Sequence, residues 1–102
     1  MTVHNHTTAP SGDGTVVVDI GGDIGALVLY ATAGLHGSEI DIERLDSGQR
    51  SHVAVRQRQL ATGTAYAAVY PALPAGKYLL HLPSGGRPVT ITGGIVNEIH
   101  WT

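Results

Sequence analysis

The sequence contains no cysteine, and it carries little charge. Of its 102 residues, 6 are Lys or Arg and 8 are Asp or Glu, which gives a formal net charge of −2 at pH 7. The missing cysteines exclude disulfides, thiolate catalysis and Cys-based zinc sites. The small positive charge offers no basic field to a nucleic acid or an anionic membrane, so we expect neither as a partner.

Long apolar runs are also absent. None approaches the ~20 residues that a membrane-spanning helix requires. The N-terminal sequence MTVHNHTTAPSGDG has neither the basic region nor the apolar region of a secretory signal. We therefore expect a soluble, cytoplasmic protein.

Short β-branched runs separated by glycine or proline make up most of the chain. Residues 1–14 are polar and turn-rich, which predicts a flexible N-terminal arm. Residues 15–102 then predict one folded domain, in which apolar runs recur at regular short intervals. We expect an all-β fold, a single Greek-key-like β-sandwich of about seven to eight short strands.

The segment SEIDIERL, residues 38–45, alternates apolar and acidic side chains, which predicts a strand with one wet face. The next segment, RSHVAVRQRQL, residues 50–60, suits a strand or a short helix, and we favour a strand. If the two strands pair with Ile42 opposite Val55, acidic and basic side chains face each other as exposed salt bridges. The predicted pairs are Asp41–Arg56 and Glu39–Arg58.

The second half of the chain contains Leu73-Pro74-Ala75-Gly76-Lys77-Tyr78 after an aromatic strand. A Pro-Val-Thr strand, a glycine turn and a last apolar strand follow. In this half the chain resembles the prealbumin-like, carboxypeptidase-regulatory-like β-sandwich domains. The resemblance implies a prealbumin-like fold and a binding, spacer or stabilising role, and it brings no shared catalytic residues. The whole chain also resembles small uncharacterised actinobacterial proteins.

The stretch Asp19-Ile20-Gly21-Gly22-Asp23 is similar to the phosphate-binding hairpin of actin-like and sugar-kinase ATPases. A chain of 102 residues cannot build the two lobes that enclose nucleotide in those enzymes. The carboxylate of Asp23 would repel phosphate, and no helix follows the glycines. We therefore interpret the stretch as the turn of a β-hairpin.

Six histidines raise the alternative of a transition-metal-binding protein. His4 and His6, with Asn5 between them, could hold Ni, Cu or Zn weakly in the N-terminal arm, and we expect no other cofactor. The remaining histidines lie on four separate segments, so their spacing does not say whether they meet in space. They are His36, His52, His81 and His100.

The group His36-Gly37-Ser38-Glu39 raises a second alternative, a small hydrolase centred on His36. It combines an imidazole, a hydroxyl and a carboxylate on a loop, where functional groups often lie. The sequence has no Gly-x-Ser-x-Gly nucleophile elbow. We assign no catalytic residue, and we expect that the protein is not an enzyme.

The leading interpretation is a non-enzymatic binding or assembly module. The segment from Ile95 to Trp101 is the best candidate for an edge strand, and it ends in the only tryptophan. That tryptophan is either a core plug or an interface anchor, and an anchor would indicate a homodimer formed by strand pairing. No other protein partner is indicated. The candidate binding residues are His36, Glu39, His52, Arg56, His100 and Trp101.

Overall fold

The computed structural model describes residues 5–8, 11–12, 17–60 and 63–101, and strands make up most of them. A single 3₁₀ turn, Ala33–Leu35, follows the fourth strand. The strands are β1 (Asn5–Thr8), β2 (Ser11–Gly12), β3 (Val17–Ile20), β4 (Ile24–Ala31), β5 (Glu39–Arg44), β6 (Arg50–Ala54), β7 (Arg56–Leu60), β8 (Gly63–Pro74), β9 (Gly76–Leu82), β10 (Gly85–Ile91) and β11 (Val96–His100).

The strands form three sheets. One sheet has the order β10-β9-β5-β6, a second has the order β11-β4-β8-β7-β2, and β1 with β3 forms a two-stranded ribbon. Neighbouring strands are antiparallel except for β4 and β11, which run in the same direction. No helix in the described residues is long and apolar enough to cross a bilayer.

The two larger sheets pack face to face around one apolar cluster. Alternating side chains of each sheet supply it, as the period of two in a strand requires. Its buried members are Leu27, Leu29, Ile40, Ile42, Val55, Ala68, Tyr70, Leu73, Tyr78, Leu80, Val89 and Ile91. Tyr70 crosses between the sheets and donates its hydroxyl hydrogen bond to the Ile40 carbonyl. The predicted all-β sandwich is confirmed.

A second apolar cluster covers the opposite face of the five-stranded sheet. Val18 and Ile20 of the ribbon pack there against small apolar side chains of β4 and β8. Val17–Ile20 pairs with β1, and its link to β4 is the single bridge between Gly21 and Ile24. The ribbon therefore forms a third layer on the sandwich.

The structure describes two strands within the segment predicted as an arm, and the division of the chain into an arm and a domain stays a prediction. Residues 5–8 pair with β3, and residues 11–12 pair with β7 at the edge of the five-stranded sheet. Both segments were expected to be unstructured because their polar side chains gave no strand signal. The predicted domain boundary between residues 14 and 15 lies outside the described residues.

Residues 50–60 are extended, which agrees with the predicted strand rather than the short helix. They form two strands, β6 and β7, which lie in different sheets. Val55 separates them and is fully buried. Its N–H donates to the Ser38 carbonyl at 2.9 Å, and its carbonyl accepts from the Gly37 N–H at 2.8 Å. This division, together with β1 and β2, raises the number of strands from the expected seven or eight to the eleven named above.

The predicted salt bridges between these segments are wrong. Ile42 lies opposite Ser51 because the turn after β5 closes tightly, with Arg44 N–H donating to the Gln49 carbonyl at 2.8 Å. Arg56 lies opposite Ala67 on β8, in the other sheet. The corresponding partners in the structure are Asp41 with His52, Glu39 with Ala54, and Arg58 with Ala65.

A single arginine fixes the corner between β8 and β9. Arg44 donates to the carbonyls of Pro74 and Ala75 at 3.3 and 3.1 Å and to the Tyr78 hydroxyl at 3.0 Å. Its Nε also donates to Asp46 at 2.8 Å. The planar guanidinium can serve all these acceptors at once. The corner then directs Tyr78 into the core.

Candidate functional site

The C-terminal strand β11 lies at an edge of the described five-stranded sheet, as predicted. A glycine turn brings the chain from β10 to β11, and the Asn97 side chain secures this turn. Its amide nitrogen donates to the Ala26 carbonyl at 2.9 Å, and its oxygen accepts from the Thr92 N–H at 3.1 Å. The position of β11 is therefore fixed by side-chain contacts as well as by strand pairing.

The backbone of β11 presents hydrogen-bonding groups on its free side. The Trp101 N–H donates to the Tyr30 carbonyl, and the Ile95 carbonyl accepts from the Ala26 N–H, so odd-numbered residues face β4. Successive residues of a strand point their N–H and C=O groups in opposite directions. The backbone groups of Val96, Glu98 and His100 consequently point away from the sheet.

A polar group lies on the outer face of this edge. The Tyr30 hydroxyl donates to Glu98 Oε1 at 2.8 Å, and the Tyr30 and His100 rings stack with their centroids 4.7 Å apart. Burial raises the pKa of Tyr30 to about 12, and the hydrogen bond to Glu98 acts in the same direction. Tyr30 therefore stays protonated at neutral pH and holds the Glu98 carboxylate in place.

A shallow depression of about 500 Å³ adjoins this polar group. It lies where the end of β4 meets the start of β8. The lining residues are Tyr30, Ala31, Thr64, Ala65, Tyr66, Glu98 and His100. The depression is open to solvent, so a bound group would keep much of its hydration.

The inner face of β11 is apolar. Ile99 and Trp101 are half-buried and pack against the core cluster between the two sheets. Trp101 therefore seals the core, and part of its surface stays exposed. Ile95, just before the strand, is 48% exposed. The free edge thus combines backbone hydrogen-bonding groups with accessible apolar surface.

A second polar surface lies on the outer face of the four-stranded sheet. Acidic side chains of β5 alternate there with basic side chains of its neighbours. The set is Glu39, Asp41, Glu43, Arg50, His52 and His81. Glu43 lies 2.9 Å from His81 Nε2 and accepts from Arg50 at 3.2 Å. The hydrogen bond with His81 is the main cause that holds the pKa of Glu43 below its ordinary value.

The predicted binding residues do not converge on one site. Glu39 and His52 come together on the four-stranded sheet, with 3.8 Å between Oε1 and Nε2. His36 is exposed just after the 3₁₀ turn, with its ring centroid 5.7 Å from that of Tyr66. Arg56 lies on β7 in the other sheet, whereas His100 and Trp101 share the β11 edge.

The arrangement of the described residues adds no support to the metal-binding alternative or to the hydrolase alternative. Within the described residues, no group of three His, Asp or Glu side chains is arranged to hold a metal ion. His4 lies outside the described residues, and His6 occupies β1 opposite Asp19. The carboxylate of Glu39 approaches His52, and the ring of His36 packs against Tyr66.

The glycine turn in the stretch Asp19–Asp23 is closed by backbone contacts. Gly21 and Ile24 exchange two hydrogen bonds of 2.9 Å, so the stretch is a turn as predicted. The predicted hairpin is wrong, because β3 and β4 lie in different sheets and this single bridge is the pairing between them. The neighbouring turn packs directly on it, because a Cβ at position 93 would lie 2.5 Å from the Gly22 carbonyl oxygen. The glycine turn at Gly22 is therefore packed into the end of the sandwich. That it does not bind nucleotide stays a prediction.

Sequence patterns missed Tyr30 and Glu98. Glu98 and His100 are two residues apart in one strand, so alternation alone puts them on one face. The place of Tyr30 beside Glu98 depends on the pairing of β4 with β11, two strands that lie far apart in the sequence.

No family model, curated protein or solved structure matches the chain. The prealbumin-like assignment therefore stays a prediction.

Proposed function

We propose that the protein is a non-enzymatic binding or assembly module that accepts an additional strand at the β11 edge. The observation that carries this proposal is the row of outward backbone groups at Val96, Glu98 and His100. An extended segment that pairs with these groups continues the five-stranded sheet. The lack of cysteine is in keeping with action in the cytoplasm.

The other described edges are less suited to this role. The edge strand β10 contains Pro88, which has no N–H to donate. The edge strand β6 carries exposed Arg50 and His52, and charged side chains discourage strand addition. Strand β2 has 2 residues, which is too short to guide a partner. These features favour β11 as the surface for a partner.

Loss of one outward N–H tests the proposal. Glu98→Pro removes a donor that faces away from β4, and proline is tolerated at such edge positions. Glu98→Ala is the matched control, because it removes the same side chain and keeps the N–H. We expect untagged wild-type protein from native cells to appear in a complex by native mass spectrometry. We expect Glu98→Ala to keep more of that complex than Glu98→Pro, and Glu98→Pro to appear alone.

Three results would contradict the proposal. The first is a wild-type protein that is isolated as a single chain. The second is a Glu98→Pro variant that keeps its partner while folded. The third is turnover of an ester or phosphodiester substrate that is lost in His36→Ala, which would favour the hydrolase alternative.

A further inference from the structure

We infer that the strand added at the β11 edge belongs to a second copy of this chain, paired antiparallel about a two-fold axis at Ile99. This inference rests on the proposed function, because it requires that β11 accepts a strand. It adds the identity of the partner and the register of the pairing. The result is a continuous sheet built from the five-stranded sheets of two copies.

Backbone direction limits the registers that are open to two copies of β11. Outward groups must meet outward groups, so the even-numbered residues of one copy pair with even-numbered residues of the other. A two-fold axis satisfies this rule when it passes through a residue, and an axis at Asn97, Glu98 or Ile99 also pairs at least three residues of β11 with β11 of the partner. Backbone geometry therefore leaves three registers.

Charge selects among the three registers. An axis at Glu98 places two carboxylates directly opposite each other, which is unfavourable. An axis at Ile99 places each Glu98 opposite the partner's His100, so two complementary pairs form. An axis at Asn97 leaves Glu98 opposite the partner's Val96, with no polar match. The axis at Ile99 is the register in which the edge complements itself.

The side chains already hold positions that suit this register. Tyr30 fixes the Glu98 carboxylate on the outer face with its 2.8 Å hydrogen bond. On the inner face, Ile99 meets the partner's Ile99, and Trp101 lies opposite the partner's Asn97. Ile99 and Trp101 are half-buried in the single chain, so pairing covers their remaining apolar surface.

Arg87 is compatible with the added strand. Its guanidinium donates to the outward His100 carbonyl at 2.9 Å. A carbonyl oxygen has two lone pairs and can accept a second hydrogen bond from a partner's N–H. The contact with Arg87 shows that the His100 carbonyl points outward, and it leaves that carbonyl free to accept one more hydrogen bond.

Single cysteines report the register directly, because the chain has no cysteine of its own. Opposed residues at a non-hydrogen-bonded position have Cα atoms about 4.5 Å apart, which is within disulfide range. Ile99→Cys occupies such a position across the proposed axis. We expect it to form a disulfide-linked dimer under mild oxidation, much faster than Glu98→Cys, the control at the adjacent residue.

A charge exchange gives a second test that needs no cysteine. His100→Glu places carboxylates opposite each other twice, and we expect it to weaken the dimer about tenfold or more. The double variant Glu98→His with His100→Glu restores both pairs in the Ile99 register and should restore the dimer. Sedimentation of the wild type and of each variant gives the dissociation constants, and circular dichroism confirms that each is folded.

Several outcomes would overturn the inference. They are a wild-type monomer at hundreds of micromolar, faster cross-linking through Glu98→Cys, or a double variant as weak as His100→Glu. A monomer that dimerises only in Arg87→Ala would also overturn it, because Arg87 would then close the edge. If the wild type is a monomer but native mass spectrometry finds another protein lost in Glu98→Pro, the proposed function stands and the self-pairing fails.

Discussion

At the scale of single residues, glycines permit the close contact between turns at one end of the sandwich. The turn after β10 touches the turn before β4, and a Cβ at Gly93 would lie 2.7 Å from Asp23 Cα. The same contact brings the Gly94 N–H to the Ile24 carbonyl at 2.9 Å. Small residues are needed here because backbone meets backbone.

Replacing Gly93 with alanine tests this close approach. The added methyl group cannot be accommodated without moving backbone, so we expect Gly93→Ala to lower the free energy of unfolding by roughly 1–3 kcal/mol. Gly34→Ala is the control, because the nearest atom to its Cβ would be Thr32 Oγ1 at 3.9 Å. Urea denaturation compares both with wild type, and equal stability of the two variants would contradict the prediction.

Glu43 makes a pH-dependent contribution to stability. Its pKa is lowered from 4.5, mainly by the hydrogen bond with His81, so the folded protein binds fewer protons there than the unfolded chain. The contribution is fully present above the ordinary pKa and is lost as the pH falls through the lowered pKa. Glu43→Gln should therefore reduce stability at pH 7 and converge with wild type in strong acid.

Urea denaturation of both proteins at a series of pH values measures this effect. Glutamine keeps an oxygen that can accept from His81 and Arg50, so the comparison isolates the charge. A stability difference that stays constant from neutral pH into acid would show that the charge of Glu43 plays no part.

At the scale of elements, the β1–β3 ribbon covers apolar surface that the five-stranded sheet would otherwise expose. Val18 and Ile20 have relative exposures of 0% and 5%, and they lie on the small side chains of β4 and β8. β3 is short, so its position depends on pairing with β1 and on this apolar contact with the sheet. We therefore expect the N-terminal residues to stabilise the fold.

Deleting residues 1–12 tests the role of the ribbon. The deletion removes β1 and β2, which leaves β3 without a partner strand and leaves β7 paired with β8 alone. We expect the thermal midpoint to fall by several degrees, whereas deletion of residues 1–4, which removes neither strand, should change it little. Differential scanning calorimetry measures both. An unchanged midpoint in the longer deletion would show that β1 and β2 add no stability.

The strands β5, β6 and β7 show what sequence patterns can and cannot predict about single elements. Alternation identified β5 because one of its faces is buried and the other is wet. It did not identify the change of sheet at Val55, because both flanking segments are extended and alternate across it. The register of β5 with β6 was also out of reach, since it depends on how tightly the Gly48 turn closes.

At the scale of the whole molecule, the sandwich could be predicted and its strand neighbours could not. Composition and turn spacing indicate two packed sheets, but the parallel pairing of β4 with β11 joins segments about seventy residues apart. The polar group at the β11 edge depends on that pairing, so Tyr30 could not be placed beside Glu98 from the sequence. The edge position of β11 could be predicted, because the last strand of a chain often lies at the edge of its sheet.

The parallel pairing of β4 with β11 also determines how the protein carries tension. The chain enters β4 at Ile24 and leaves β11 at His100, so a force that separates these two points slides one strand along the other. The hydrogen bonds between the strands then bear the load together. In the antiparallel ribbon, Asn5 lies opposite Ile20, so a force that separates these two residues peels the pairs apart one after another. When the chain is pulled from Asn5 and His100, we therefore expect the ribbon to open at a lower force than the β4–β11 pair.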